Sequence, residues 1–278
     1  MYKLIKNSLI ISLILSIIFV MSSCGKTQIE PTSAQATQET TDNTVRLTFP
    51  EGYSALKIAD KLEKNHVCTR DEFLNEVNNK EYLEEFGIEI ENPEDRAFLL
   101  EGYLFPDTYD FFIGENPSSV IRKFLRNTFS RLTDEMLQRA KELGYNTDEL
   151  LNLASVIQGE AGGAAQSSTV ASVLYNRLNS NEFRRIECDA TISYLKRSVK
   201  PVVDENRYDE LCELYNTYMC YGLPAGPIGN AGMTSINAAL YPEDTDYYYF
   251  VTDSEGNFFF AETLAEHKIN CQKVGLTG

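Results

Sequence analysis

The stretch Leu150–Ala161, LLNLASVIQGEA, decides how this chain is read. Its apolar residues recur at helical spacing, and a step of about 100° per residue puts Leu150, Leu153, Ala154, Ile157 and Ala161 on one face. Asn146 and Glu149 stand at the spacing of a reciprocal N-terminal cap, so a helix is predicted from Asp148 to Ala161. Glu160 falls beside Leu153, at the edge of the buried face and in the last turn. Partial burial disfavours a carboxylate, and so do the outward-pointing carbonyls at a helix C-terminus; both hold a proton on the acid. An acid protonated near neutral pH is what a glycosidic leaving oxygen requires. Spacing alone also admits a solvated glutamate in a fraying last turn. Gly162 and Gly163 follow at once and leave open backbone beside the acid.

On the N-terminal side, Val45-Arg46-Leu47-Thr48-Phe49 alternates as a strand does, and Pro50 and Gly52 break it. Ser54 caps a predicted helix through Leu56, Ala59 and Leu62. Thr69 and Glu72 form a capping box ahead of Phe73, Leu74 and Val77. Pro117, at a first helical position, opens a helix through Val120, Ile121, Phe124, Leu125 and Leu132. Another helix carries Met136, Leu137, Ala140 and Leu143 and stops at Gly144. On the C-terminal side a helix is predicted over Ser168–Leu178. Tyr247–Val251 and Phe258–Phe260 flank the turn residues Asp253–Asn257 as a hairpin. Thr263 and Glu266 cap a last helix. The fold class is α+β: a small N-terminal module at 45–112, then a mixed domain at 113–278 that carries the acid on a helix.

The N-terminus reads as an export signal over 1–23. Lys3 and Lys6 precede an apolar run from Leu9 to Met21, shorter than the roughly 18–20 residues a spanning helix prefers. The run ends in Met21-Ser22-Ser23-Cys24, which resembles a lipobox and marks Cys24 for lipidation; an uncleaved membrane anchor is the alternative. Residues 24–44 lack large apolar side chains and read as a flexible tether. Both readings put the body on the extracytoplasmic face of a bacterial membrane. A formal charge of −16 without a basic cluster disfavours nucleic acid as a partner. Two histidines and no CxxC give a zinc site no support, and no metal or cofactor is expected. The cysteines beyond Cys24 number five and read as small buried hydrophobes.

From Leu150 the chain resembles the catalytic helix of the MltG-type (YceG-like) endolytic murein transglycosylases, whose pattern is LASIVEKEA. The second acidic position of that pattern, the family's catalytic glutamate, falls on Glu160; the first is Gln158 here. Further blocks follow in order: LEGYLFPDTYDF from Leu100, VASVLYNRL from Val170, and Glu187-Cys188-Asp189-Ala190-Thr191, with Glu187 where the family has glutamine. Next come YNTY from Tyr215, GLPAGPI from Gly222, Asn230-Ala231-Gly232, and FVTDSEGNFFFAETLAEH from Phe250.

The resemblance implies an endolytic enzyme that cuts the β-1,4 bond between N-acetylmuramic acid and N-acetylglucosamine in nascent glycan strands. A 1,6-anhydro end is left when Glu160 first protonates the leaving oxygen and then takes the proton of the muramic 6-hydroxyl. Glu101, Asp189, Thr191, Tyr215, Asn216, Tyr218 and Asn230 are the matched positions for substrate contact. For Asp189 and Thr191 a helix cap is the alternative, and for the tyrosines a core role. His267 is expected to be structural. The first module resembles a LysM-like unit, and peptidoglycan synthases are implied partners. A muramidase-type hydrolase using the same Glu160, or a non-catalytic wall-binding lipoprotein, are the competing readings.

Overall fold

The computed structural model describes residues 43–162 and 165–276. The export signal, Cys24 and nearly all of the tether lie outside the described residues, as does Gly163.

Strand β1 (Thr44–Thr48) alternates outward and inward, burying Leu47 with Phe49 just beyond it. Its antiparallel partner is β2 (Thr108–Phe112), in the register Val45 to Phe111 and Leu47 to Tyr109. Between them run α1 (Ala55–Lys64), capped by Ser54, α2 (Arg70–Val77), closed by the Thr69–Glu72 capping box, and a short α3 (Glu81–Phe86). Helix α4 (Pro117–Arg131) begins on proline with Asn116 as its cap. Its Phe124 ring sits 4.5 Å from Tyr109 and 5.1 Å from Phe49, so the strand pair and α4 share one aromatic cluster. Packing therefore runs unbroken across the expected boundary at residues 112 and 113.

Helix α5 (Asp134–Glu142) leads into α6 (Thr147–Ala161), which carries the predicted Asn146–Glu149 cap in full. Its burial exceeds the one-faced expectation. Leu151 and Val156 are buried as well as Leu150, Leu153, Ala154 and Ile157, because α5, α7 (Ser167–Leu178), α8 (Asp189–Tyr194) and α10 (Met233–Leu240) all pack on α6. Each such aliphatic side chain contributes about 1.5–3 kcal/mol on burial. The polar side chains of α6 find partners inward. Asn152 donates to the Pro224 carbonyl (2.7 Å), Ser155 Oγ accepts from Ile228 N–H (2.9 Å), and Gln158 Oε1 accepts from Gly232 N–H (3.1 Å) and Ser235 (3.0 Å). The Gly232 bond satisfies the cap N–H of α10, which has no side-chain cap of its own, and the Ser235 hydroxyl ties its first turn to α6.

A π-helical turn at Leu195–Val199 follows α8, and α9 (Glu205–Tyr215) ends beneath the YNTY block. Strands β3 (Tyr249–Thr252) and β4 (Phe258–Ala261) form the predicted hairpin, whose turn is closed by Asp253 accepting from three donors of Glu255 and Asn257. Its aromatic rings stack in a half-buried row, as in the Tyr247–Phe260 pair at 5.5 Å. Helix α11 (Leu264–Lys273) starts on the Thr263–Glu266 capping box and backs the hairpin. The five described cysteines are free thiols.

Candidate active site

Glu160 lies in the final turn of α6, and Gly162 closes the helix in the left-handed conformation at φ 59°. A residue with a Cβ pays to hold that geometry, so glycine ends the helix cleanly just beyond the acid. The carboxyl is half-buried and opens on a cleft of about 590 Å³. One wall of the cleft is Arg177 of α7 with the segment from Ile186 to Asp189. Another is β3 with His267 of α11, and Tyr218 stands at the side.

Gly159 sets the approach of α8. A Cβ there would meet the Ala190 Cβ at 2.6 Å, so only glycine lets α8 come this close. The approach brings the Ala190 N–H to Glu160 Oε1 at 3.0 Å. Burial pushes the Glu160 carboxyl above its ordinary range; the Ala190 N–H opposes this, and the charge of Asp189 reinforces it. One oxygen is thus oriented by a backbone donor, while burial raises the pKa of the group as a whole. It can give a proton to an oxygen in the cleft and later take one back.

Two more carboxylates line the cleft, an acidic grouping that spacing did not reveal. Asp189 accepts from the Tyr218 hydroxyl at 3.0 Å. Glu187 accepts from Arg177 Nη1 at 2.8 Å, and its backbone stands at φ 53°, a strained conformation for a residue with a side chain. Arg177 is the hub of this wall. Its guanidinium also donates to the carbonyls of Tyr248 (2.7 Å) and Arg185 (3.2 Å) and lies 5.2 Å from the Tyr249 ring. His267 stacks on Tyr249 at 5.2 Å, with Nε2 3.5 Å from the Cys271 sulfur. Burial and then the nearby Arg177 lower its pKa.

The structure brings Asp189 and Tyr218 to Glu160 but not the other matched positions. Glu101 is fully buried. Both of its oxygens accept from Ala55 N–H at 3.0 Å, Asn230 Nδ2 donates at 2.9 Å and the Tyr194 hydroxyl at 3.2 Å. Asn230 also holds the Leu104 N–H (2.7 Å) and the Tyr53 carbonyl (2.9 Å). Thr191 is sealed against Cys188 and Thr217, and Tyr215 is fully buried with its hydroxyl accepting from Ala97 N–H at 3.2 Å. Asn216 ends α9 and accepts from Tyr218 N–H (3.0 Å), which aims Tyr218. Glu101, Thr191, Tyr215 and Asn230 therefore make no direct sugar contact from these positions. Burial occupies their polar atoms with protein partners, and they brace the loops that carry the cleft. Asp107, in the same LEGYLFPDTYDF block as Glu101, pairs with Arg131 (2.6 Å) and accepts from Asn127 (3.1 Å).

Fold and site together define a class: a mixed α+β protein presenting one partly desolvated carboxylic acid, at the end of a buried helix, to a polar cleft with aromatic walls. Within that class, the chain belongs to the YceG-like family, whose match spans residues 25–273. It is 34% identical to the endolytic murein transglycosylase of Bacillus subtilis (strain 168), over 80% of this chain and 63% of that protein. It is 26% identical to the endolytic murein transglycosylase of Streptococcus pneumoniae serotype 2 (strain D39 / NCTC 7466), over 81% of this chain and 43% of that protein. The chain thus spans less than two thirds of the length of these relatives. A 2.6 Å crystal structure of a yceG-like protein from Listeria monocytogenes superposes with a TM-score of 0.69 at 30% identity, covering 81% of this chain and 75% of that one.

Proposed function

We propose that this chain is an endolytic peptidoglycan transglycosylase, cleaving the bond between N-acetylmuramic acid and N-acetylglucosamine and leaving 1,6-anhydro ends. The observation that carries the reading is Glu160: an acid whose pKa burial raises, oriented by Ala190 N–H, and open to a cleft large enough for sugar rings. Its relatives' names point the same way. Glu160 protonates the leaving oxygen, so that the bond from C1 to that oxygen breaks. The resulting carboxylate then accepts the proton of the muramic 6-hydroxyl as O6 closes on C1. Asp189 and Tyr218 face the reacting sugars, and Asn216 holds Tyr218 in place.

A second carboxylate on the same cleft, Asp189, favours hydrolysis as the runner-up, since water-adding glycosidases employ an acid pair. Mass spectrometry of products from uncrosslinked strands decides between them. Products one water lighter than reducing ends, absent with Glu160→Gln, mark the transglycosylase. Reducing ends mark a hydrolase, and no cleavage by the wild-type protein returns the chain to the wall-binding reading. In the same proposal, residues 45–112 act as a LysM-like unit that holds the strand. Cys24 carries a lipid that keeps the enzyme at the extracytoplasmic membrane face, beside the synthases whose new strands it trims. The mass of the membrane-extracted protein tests the lipid.

A further inference from the structure

Beside the Glu160 cleft lies a second cavity of about 300 Å³, lined by Glu182, Phe183, Arg184, Arg185, Glu187 and Tyr221 among others. Glu187 lines both cavities, so the two share that wall. Its framework is fixed by backbone. Arg185 forms a parallel bridge with Gly222, and Gly222 N–H donates to the Arg184 carbonyl at 3.0 Å. These bonds hold the two arginines against the loop carrying Tyr221, whose ring lies 5.0 Å below the Arg185 guanidinium and is 65% exposed.

The charges here are arranged for a visitor rather than for the fold. Neither Arg184 nor Arg185 forms an ion pair among the described residues. The Arg185 Nε is buried without a hydrogen-bond partner. Glu187, the nearest carboxylate along the chain, is engaged by Arg177, and Glu182 lines the cavity without pairing to either arginine. In a chain of net charge −16, two guanidiniums side by side, neither of them in an ion pair, offer an anion free donors. The planar guanidinium fork fits a carboxylate in two parallel bonds. The cavity is at the small end of ligand pockets, suited to a short substituent rather than to further sugar rings.

We propose that this cavity binds a free carboxylate of the peptide substituent that muramic sugars carry, and so selects strands whose stems are intact. The inference rests on the peptidoglycan reading of the Glu160 cleft. Arg184 and Arg185 bind the carboxylate, Tyr221 supports Arg185, and the shared Glu187 wall sets the distance between the stem and the scissile bond.

The test uses two substrates, uncrosslinked glycan strands with peptide stems and the same strands stripped of them by an amidase. Binding is measured on the full chain carrying Glu160→Gln, with and without Arg184→Gln plus Arg185→Gln. Cleavage of both substrates is measured with Glu160 intact. Stem-bearing strands are expected to bind and react about tenfold better than stripped ones, a preference that falls to near unity in the double variant. Arg126→Gln, the same charge change as Arg184→Gln but on α4, keeps the preference. Arg184 is exposed, so Arg184→Gln alone reports in the same direction if the double variant does not fold. Equal binding of the two strands, or an unaltered preference in the arginine variants, overturns the stem site. Absence of cleavage on both substrates overturns the transglycosylase instead, and the binding ratio still decides the stem site.

Discussion

Glu160 and Glu101 are both acids whose pKa is raised by burial, yet they do opposite things. Glu101 is fully enclosed, and burial pushes its carboxyl up to about 8 even though Ala55, Tyr194, Asn230 and Gly102 donate to it. Those donors come from the start of α1, from α8 and from the GLPAGPIGNAG loop, so Glu101 is a knot joining three parts of the chain. Glu160 accepts from Ala190 N–H, and its carboxyl opens on the cleft. A perturbed pKa marks both sites; only access and unused hydrogen-bonding capacity mark a site for chemistry.

The comparison breaks first at Glu160→Gln. Cleavage of glycan strands is expected to fall by about 10³-fold while thermal stability holds, measured by product mass spectrometry and calorimetry. If activity survives, Glu160 is not the acid. Glu101→Ala should do the reverse in kind: stability drops by roughly 3 kcal/mol in denaturant unfolding, because several buried donors lose their acceptor.

Glu101→Gln sharpens the point through pH. The folded protein keeps the Glu101 proton up to about 8, whereas the ordinary value is 4.5. Between those values the folded state holds a proton that the unfolded chain has released. Stability contributed by this group is therefore complete below 4.5 and declines as pH rises toward 8, by up to about 1.4 kcal/mol per pH unit. Glu101→Gln should flatten that decline in unfolding curves taken across the window.

Gly159→Ala forces α8 away from α6 and withdraws the Ala190 N–H from Glu160. About a tenfold loss of activity is expected, with overpacking costing about 1–3 kcal/mol. The smallest effect belongs to Asp189→Asn. Removing that charge lowers the Glu160 pKa, so the basic limb of the rate profile, where the acid loses its proton, moves to lower pH.

What the sequence disclosed follows interaction range. The Asn146–Glu149, Thr69–Glu72 and Thr263–Glu266 caps and the Asp253–Asn257 turn are written in neighbouring residues, and all four are present. The pairing of β1 with β2 joins Val45 to Phe111 and left no local trace. Helices α8 and α10 are six and eight residues long and packed on several sides, so neither shows a clean period. Glu160 was legible through its place at the edge of an apolar face and through the family pattern. The surroundings that tune it were not, because Ala190 reaches it only through the missing Cβ of Gly159. Nor could the motif separate residues that face the cleft from those that brace it. Asp189 and Tyr218 lie on one side of that divide, Glu101 and Asn230 on the other.

The stitches from Asn152, Ser155 and Gln158 to Pro224, Ile228, Gly232 and Ser235 have a consequence for motion. Helix α6 and that loop can open only together, so their amides should exchange with solvent deuterium at the rate of global unfolding. The β3–β4 hairpin leans on α11 and on the end of α7, where Asn176 donates to the Tyr247 carbonyl and Arg177 to the Tyr248 carbonyl, and its amides should exchange sooner. The acid would then sit on the slowest-opening part of the molecule, with the facing wall the first to yield.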